Sequence, residues 1–189
     1  MKNLAIFASG SGTNAENLIR YFNQKECGRV VLVVSNKADA PVLERASRLG
    51  VPTAVCTRTE LAETDHIPTL LHEQKVDFVV LAGFLLRIPD NLLQAYPGRI
   101  VNIHPALLPK FGGKGMYGDK VHEAVVAAGE TMTGITIHAV DAHYDEGDVL
   151  FQASCPVLPS DTPQEVAQKV HALEYKYYPV VVEQLLSTI

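Results

Sequence analysis

Five short apolar segments, separated by stretches with helical character, constrain the fold of this 189-residue chain most strongly. They do not alternate between apolar and polar residues, as a strand with one solvent-exposed face would. This lack of alternation is typical of strands that are buried on both faces of a parallel sheet. The predicted strands are Leu4–Ala8, Val30–Ser35, Val51–Cys56, Val76–Ala82 and Arg99–Ile103. The predicted helices are Ala15–Asn23, Val42–Leu49, Thr59–Gln74 and a short one near Pro89–Ala95.

The second half of the chain changes pattern. Thr133–Val140 alternates more, and Val149–Val157 follows a turn at 145–147, which predicts an antiparallel extension of the sheet. Thr162 and Pro163 open a long C-terminal helix, which Pro179 is predicted to bend or interrupt. The predicted fold is α/β, a three-layer sandwich with a mostly parallel Rossmann-like sheet and a C-terminal antiparallel extension. We expect one domain over residues 1–189.

Composition excludes several classes of protein. A net charge of −5 without a basic cluster argues against nucleic-acid binding, and apolar runs of strand length argue against a membrane span. Cys27, Cys56 and Cys155 form no C-x-x-C, so neither a disulfide framework nor a zinc ribbon is indicated. The first predicted strand begins at Leu4, which leaves no room for a signal peptide. We therefore expect a cytoplasmic protein.

A glycine-rich turn lies between the first predicted strand and helix. Residues 9–15 read Ser-Gly-Ser-Gly-Thr-Asn-Ala, and backbone N–H groups at a helix start bind phosphate well. The spacing of Gly10, Gly12 and Ala15 also fits a dinucleotide fingerprint, but strand two ends in Ser-Asn-Lys instead of an acidic residue. The turn therefore predicts phosphate binding without a dinucleotide, and a plain tight turn is the alternative.

Asn102 and His104 end the fifth predicted strand, where ligands bind in open α/β sheets. Two residues apart in a strand, they point the same way. An amide donor beside an imidazole suits acyl transfer, because the first stabilises an oxyanion and the second moves a proton. Ordinary packing is the alternative for such a pair.

Two later segments complete the candidate chemistry. Asp141–Asp148 holds four acids and His143 without calcium-loop spacing; it is either a solvated turn or the source of a carboxylate that raises the pKa of an active-site histidine. Phe111–Gly118 holds four glycines in eight residues and lacks the P-loop pattern. It is either a lid, poorly ordered without substrate, or a plain surface loop.

Together these motifs resemble the phosphoribosylglycinamide formyltransferase family. The resemblance covers essentially the whole chain, and its most specific part is Asn-Ile-His-Pro-Ala-Leu-Leu-Pro at 102–109 with the later Asp145 and Gly147. Ser-Gly-x-Gly-Thr-Asn after strand one, Leu-Ala-Gly-Phe at 81–84 and His138 also match. The chain departs from the usual pattern at Arg87, which stands one position later than in most members. Arg58 is the only arginine between strands three and four, where an arginine for the folate tail is usual.

The resemblance implies a role for each matching residue. His104 acts as the general acid, Asn102 stabilises the oxyanion on the formyl group, and Asp145 orients His104 and keeps its imidazole protonated. The implied nucleotide-binding residues are Gly12, Thr13, Asn14 and Glu174, the first three at the phosphate. The implied folate-binding residues are Leu85, Leu86, Arg87, Ile88, Asn102 and His138.

The resemblance also implies the reaction. A formyl group passes from 10-formyltetrahydrofolate, a co-substrate, to the amine of N1-(5-phospho-D-ribosyl)glycinamide in purine biosynthesis. No metal, nucleic acid or membrane takes part, and the chain acts as a monomer or weak homodimer. The competing functions are methionyl-tRNA formyltransferase, formyltetrahydrofolate hydrolase and a non-enzymatic nucleotide-binding module.

Overall fold

The computed structural model describes all 189 residues, and its centre is a seven-stranded sheet. The strands are β1 (Lys2–Phe7), β2 (Gly28–Ser35), β3 (Thr53–Val55), β4 (Phe78–Leu81), β5 (Ile100–His104), β6 (Met132–Ala139) and β7 (Val149–Pro156). They are arranged in the order β3-β2-β1-β4-β5-β6-β7. The first five run parallel, and β6 and β7 pair antiparallel, so the predicted fold class is confirmed.

Seven helices cover the two faces of this sheet. They are α1 (Thr13–Phe22), α2 (Pro41–Arg48), α3 (Arg58–Glu63), α4 (His66–Glu73), α5 (Asp90–Ala95), α6 (Asp119–Ala127) and α7 (Pro163–Leu186). None combines the length and apolar character needed to cross a membrane.

The central strands are apolar on both sides, and this divides the core in two. In β1, Leu4 and Ile6 pack with α1, α2, α6 and α7, whereas Ala5 and Phe7 pack with α3, α4 and α5. Successive side chains of a strand point to opposite faces, so the same strand fills both layers. The three-layer sandwich follows directly from this apolar pattern.

Two helix predictions need correction. The predicted helix Thr59–Gln74 is two helices, because Thr64 adopts an extended conformation and ends α3, and Pro68 falls in the first turn of α4, where no intrahelical N–H is needed. Of the two alternatives predicted for Pro179, an interruption is wrong, since α7 runs through it, and a bend stays a prediction. A proline leaves the carbonyl four residues earlier without its helical donor. That carbonyl, of Tyr175, accepts a hydrogen bond from Asn17 Nδ2 at 3.0 Å.

The strand order fixes where a ligand binds. The chain leaves β1 toward β2 on one side, and β4 lies on the other side of β1. Ligands of open α/β sheets occupy the crevice outside the carboxyl ends of the strands at such a reversal. The glycine-rich turn, residues 82–88 and the end of β5 all follow carboxyl ends of this set of strands.

Candidate active site

The catalytic candidates on β5 face the neighbouring antiparallel strand. Asn102 lies opposite His138 of β6, and their Nδ2 and Nε2 atoms are 3.1 Å apart. His138 Nδ1 lies 2.9 Å from the carbonyl of Ala139, which can only accept, so Nδ1 carries the ring proton and Nε2 accepts from Asn102. His138 therefore holds the Asn102 amide in one orientation.

Asp145 reaches the same place from the connection between β6 and β7. Its carboxylate lies 3.5 Å from His104 Nδ1 and 3.5 Å from His138 Nε2, and accepts a hydrogen bond from the N–H of Gly113 at 3.0 Å. The backbone of Asp145 has φ +56°, a left-handed conformation that aspartate tolerates better than most residues. The sequence prediction that Asn102, His104 and Asp145 meet in one cleft is thus met by the geometry.

Gly147 allows the Asp145 turn to pack against the end of β6. A methyl group in place of its hydrogen would lie 1.8 Å from the carbonyl oxygen of Ala139. No side chain fits at that distance. Gly147 therefore fixes the turn that presents Asp145 to the two histidines.

The glycine-rich loop 111–118 contacts both members of the His104–Asp145 pair. The carbonyl oxygen of Phe111 lies 2.7 Å from His104 Nε2, so that nitrogen donates, and the Gly113 N–H binds Asp145. Phe111 itself has φ +55°. In this structure the loop crosses the His104–Asp145 pair and contacts both residues. That the loop is poorly ordered without substrate stays a prediction.

Charge and burial act in opposite directions on this pair. Burial lowers the pKa of His104, and the Asp145 carboxylate and the Phe111 carbonyl offset only part of that effect. Burial opposes ionisation of Asp145, but the charge of His104 and the Gly113 N–H lower the pKa of Asp145. The Asp145 carboxylate thus favours the imidazolium, as expected, while burial of the ring favours its neutral form; that Asp145 keeps His104 protonated stays a prediction.

The predicted phosphate turn opens α1 as the sequence suggests. Gly12 precedes the first helical residue with φ +77°, and an added methyl group would lie 2.4 Å from a Val42 side-chain carbon. No side chain caps the helix, so the N–H groups of its first turn, Thr13 and Asn14 included, are free to bind an anion.

A buried polar cluster adjoins this turn. Glu174 of α7 accepts hydrogen bonds from Asn14 Nδ2 at 2.9 Å and from His171 Nδ1 at 3.0 Å. Asn14 Oδ1 and His122 Nδ1 are buried without a partner, and the His122 and His171 rings are 6.2 Å apart. The predicted Glu174 is thus placed beside Asn14, and two unpartnered buried atoms next to it are suited to polar groups of a ligand.

The predicted folate segment follows β4. Leu85 is exposed, Leu86 is half-buried, and Ile88 is buried in the core layer of α3, α4 and α5, so only its backbone is available to a ligand. Arg87 is engaged with the protein: its Nε donates to the carbonyl of Ala142 at 2.8 Å, and it pairs with Asp90. Arg87 therefore ties this segment to the connection that carries Asp145. No group of three metal-ligating side chains converges anywhere in the structure.

Comparison with known proteins agrees with this geometry. The formyl transferase family model matches residues 2–182. Phosphoribosylglycinamide formyltransferase of Bacillus subtilis strain 168 is 37% identical over 99% of this chain and 96% of its own length. This chain belongs to the phosphoribosylglycinamide formyltransferase family. The crystal structure of glycinamide ribonucleotide transformylase 1 from Geobacillus kaustophilus superposes with a TM-score of 0.89 at 36% identity, covering 98% of this chain and 99% of that one.

Plant relatives in this family are longer. The chloroplastic phosphoribosylglycinamide formyltransferase of Arabidopsis thaliana is 44% identical over 96% of this chain. The chain spans 64% of that relative's length.

Three features of the site have no clear signal in the sequence. The backbone of Phe111 and Gly113 binds the catalytic pair, and a backbone contact leaves no residue-type signal. His122 and His171 lie on separate helices, and only the long-range packing of α6 on α7 brings them together. Ser9 links the phosphate turn to the folate segment through its hydroxyl, a bond between residues 76 apart in sequence.

Proposed function

We propose that this chain transfers the formyl group of 10-formyltetrahydrofolate to the primary amine of N1-(5-phospho-D-ribosyl)glycinamide, a step of de novo purine biosynthesis. The observation that carries the proposal is the cluster at the carboxyl end of β5: Asp145 lies 3.5 Å from both His104 and His138, and Asn102 lies 3.1 Å from His138. The folate supplies a formyl group on N10, and the amine is the nucleophile. The cleft provides what this reaction needs: a fixed amide donor, an imidazole and a carboxylate.

Asn102 stabilises the charge that develops on the formyl oxygen. Its amide group has two hydrogens, and His138 Nε2 takes one of them. The other can point at the formyl oxygen, where a fixed donor in a buried site contributes most to the rate. His138 thus acts on the folate side by orienting Asn102.

His104 moves the proton between the two nitrogens of the reaction. As the amine attacks, its nitrogen gains positive charge and must lose a proton, and N10 must gain one as its bond to the formyl carbon breaks. The proton balance closes within the reaction, so His104 need not be protonated beforehand. Its Nδ1, which has no hydrogen bond, takes the proton from the amine and returns it to N10.

Asp145 stabilises the imidazolium that exists between these two proton transfers. The carboxylate is ionised at neutral pH and lies 3.5 Å from His104 Nδ1. The carbonyl of Phe111 accepts from the other ring nitrogen and favours the same charged state. This arrangement lets a ring whose pKa is lowered by burial become charged for the duration of the transfer.

The nucleotide lies with its phosphate on the turn that opens α1. The free N–H groups of Thr13 and Asn14 and the positive end of the helix favour a phosphate. Glu174, held by Asn14 and His171, accepts hydrogen bonds from hydroxyl groups of the sugar. The pterin occupies the space beside residues 85–88 and the connection 140–148.

We further propose that residues 1–189 act as one formyltransferase domain, as a monomer or weak homodimer in the cytoplasm. All residues assigned to the reaction come from one chain, and both core layers pack on one sheet. Cys27, Cys56 and Cys155 are unpaired, as a reducing compartment favours. The net charge of −5 does not favour binding of a nucleic acid.

An acceptor assay tests the proposed function. The protein is incubated with 10-formyltetrahydrofolate and either N1-(5-phospho-D-ribosyl)glycinamide, methionyl-tRNA or water alone, and the products are identified by mass spectrometry. We expect formylated nucleotide, and no product with the double variant Asn102→Ala/His104→Ala. Formyl-methionyl-tRNA or free formate as the main product would contradict the proposal.

A further inference from the structure

Ser9 stands where the two proposed substrate subsites meet. It follows β1, between the end of β2 on one side and the end of β4 on the other. It is 3% exposed, and the turn that it begins leads directly to the proposed phosphate-binding residues Gly12, Thr13 and Asn14. A buried hydroxyl at this position needs hydrogen-bond partners, and the structure provides them on both sides.

Three hydrogen bonds connect Ser9 to its neighbours. Its N–H donates to the carbonyl of Gly83 at 2.9 Å, its hydroxyl donates to Asn36 Oδ1 at 2.5 Å, and its Oγ accepts the N–H of Leu85 at 2.9 Å. The hydroxyl has one proton, which faces Asn36, so a lone pair remains for Leu85. The residue thus joins the ends of β2 and β4 through a directed chain of donors and acceptors.

The turn after Ser9 is held on its other side as well. The carbonyl of Gly10 accepts the N–H of Val42 at 3.1 Å, and Gly12 packs against Val42. The nucleotide turn is therefore fixed to α2 and, through Ser9, to residues 83–85. The first residue of the proposed pterin-binding segment takes its position from the nucleotide turn.

We propose that Ser9 is a positioning residue that sets the folate segment from the nucleotide turn. This inference rests on the folate assignment of residues 85–88 proposed above. Without the hydroxyl, the Leu85 N–H loses its only acceptor and the segment loses its register relative to the turn. Although Ser9 belongs to the glycine-rich nucleotide motif in sequence, we expect its loss to raise the KM of the folate and not that of the nucleotide.

The test compares Ser9→Ala with Ser9→Thr, which keeps a hydroxyl, and with Ser154→Ala, an exposed serine on β7. For each we measure kcat, the KM of both substrates, and hydrogen exchange of the Leu85 amide. Ser9→Ala is expected to raise the folate KM roughly tenfold, the scale of a backbone donor left without its partner. It leaves the nucleotide KM unchanged and speeds Leu85 exchange. Ser9→Thr restores both values, and Ser154→Ala matches the wild type.

Asn36→Ala provides a second variant that leaves Ser9 in place. It removes the acceptor of the hydroxyl proton, so the hydroxyl is free to rotate and Leu85 exchange again increases. A nucleotide KM that rises as much as the folate KM in Ser9→Ala would overturn the inference, and so would unchanged Leu85 exchange. Absence of formyl transfer by the wild type would instead contradict the proposed function, while the exchange data would still decide the Ser9 link.

Discussion

At the scale of residues, the site is built from polar groups that burial would penalise if they stood alone. His104 is enclosed by the Asp145 carboxylate and the Phe111 carbonyl, and Asn102 is fixed by His138. The Phe111 carbonyl accepts from His104 Nε2, and His138 Nε2 accepts from the Asn102 amide. The amide and the imidazole are therefore oriented before a substrate arrives, which is the condition for efficient electrostatic catalysis.

Asn102→Ala removes the proposed donor to the formyl oxygen. We expect kcat to fall roughly 10²- to 10³-fold, the range measured for the loss of one oxyanion donor. The KM of each substrate changes much less, because the interaction strengthens as charge develops. Initial rates under saturating substrates give the result, with the exposed Asn23→Ala at the far end of α1 as the control. A kcat near that of the wild type would remove Asn102 from this role.

At the scale of elements, the turn that begins α1 and the loops around Asp145 are the parts on which function depends most. Gly12 needs a left-handed backbone against Val42, and Gly147 needs close contact with Ala139. Arg87 fastens the proposed folate segment to the Asp145 connection. A few specific hydrogen bonds and close contacts hold these elements, whereas the strand ladder of the sheet holds the strands beneath them.

Gly12→Ala tests the start of α1 as the phosphate site. A left-handed conformation costs a non-glycine residue about 1–2 kcal/mol, and the added methyl group would also overlap Val42. We expect a nucleotide KM raised roughly tenfold or more on that scale, with a much smaller change in the folate KM. Gly10→Ala in the same turn is the matched comparison, since Gly10 has no positive φ and open space around it. Equal effects on both substrates would contradict the assignment.

At the scale of the whole molecule, the sheet could be predicted from sequence and the site only partly. Apolar runs such as Val30–Ser35 predict buried strands because burial on both faces leaves no polar alternation. The residue types at 102, 104 and 145 indicate the chemistry, and the structure brings them together. The pKa direction of His104 could not be predicted, because it depends on how much of the surrounding chain excludes water from the ring. The break in the predicted helix at Thr64 was missed because the residue pattern on both sides is helical. Only the extended backbone of Thr64 itself ends the helix there.

Buried histidines make the stability of the fold depend on pH. Burial lowers the pKa of His104 and of His122, so the unfolded chain, with values near about 6.5, binds protons before the folded chain does. Stability therefore falls as the pH drops below that value. His171 acts in the opposite direction, because its pKa is raised by Glu174; its contribution is present below about 6.5 and is lost as the pH rises through its folded pKa.

Urea unfolding at pH 7, 6 and 5 measures the balance. The pKa is lowered for His104 and His122 and raised for His171. We therefore expect the free energy of unfolding to decrease from pH 7 to pH 5. The slope is about 1.4 kcal/mol per pH unit for each extra proton that the unfolded state binds. His122→Gln reduces the slope, and the same substitution at the exposed His66 serves as the control. A free energy of unfolding that rises from pH 7 to pH 5 would contradict this predicted balance.

The pH dependence of kcat/KM in the wild type and in Asp145→Asn tests the central claim, proton transfer by His104 with Asp145, most directly. Asparagine keeps the shape and removes the charge that favours the imidazolium. We predict that kcat falls roughly 10²-fold, the scale of general acid–base catalysis. The acid limb assigned to His104 moves to lower pH, while any limb from the substrate amine stays fixed and serves as an internal reference. A near-normal kcat with an unshifted acid limb would contradict the account, and Asp141 would be the next carboxylate to test.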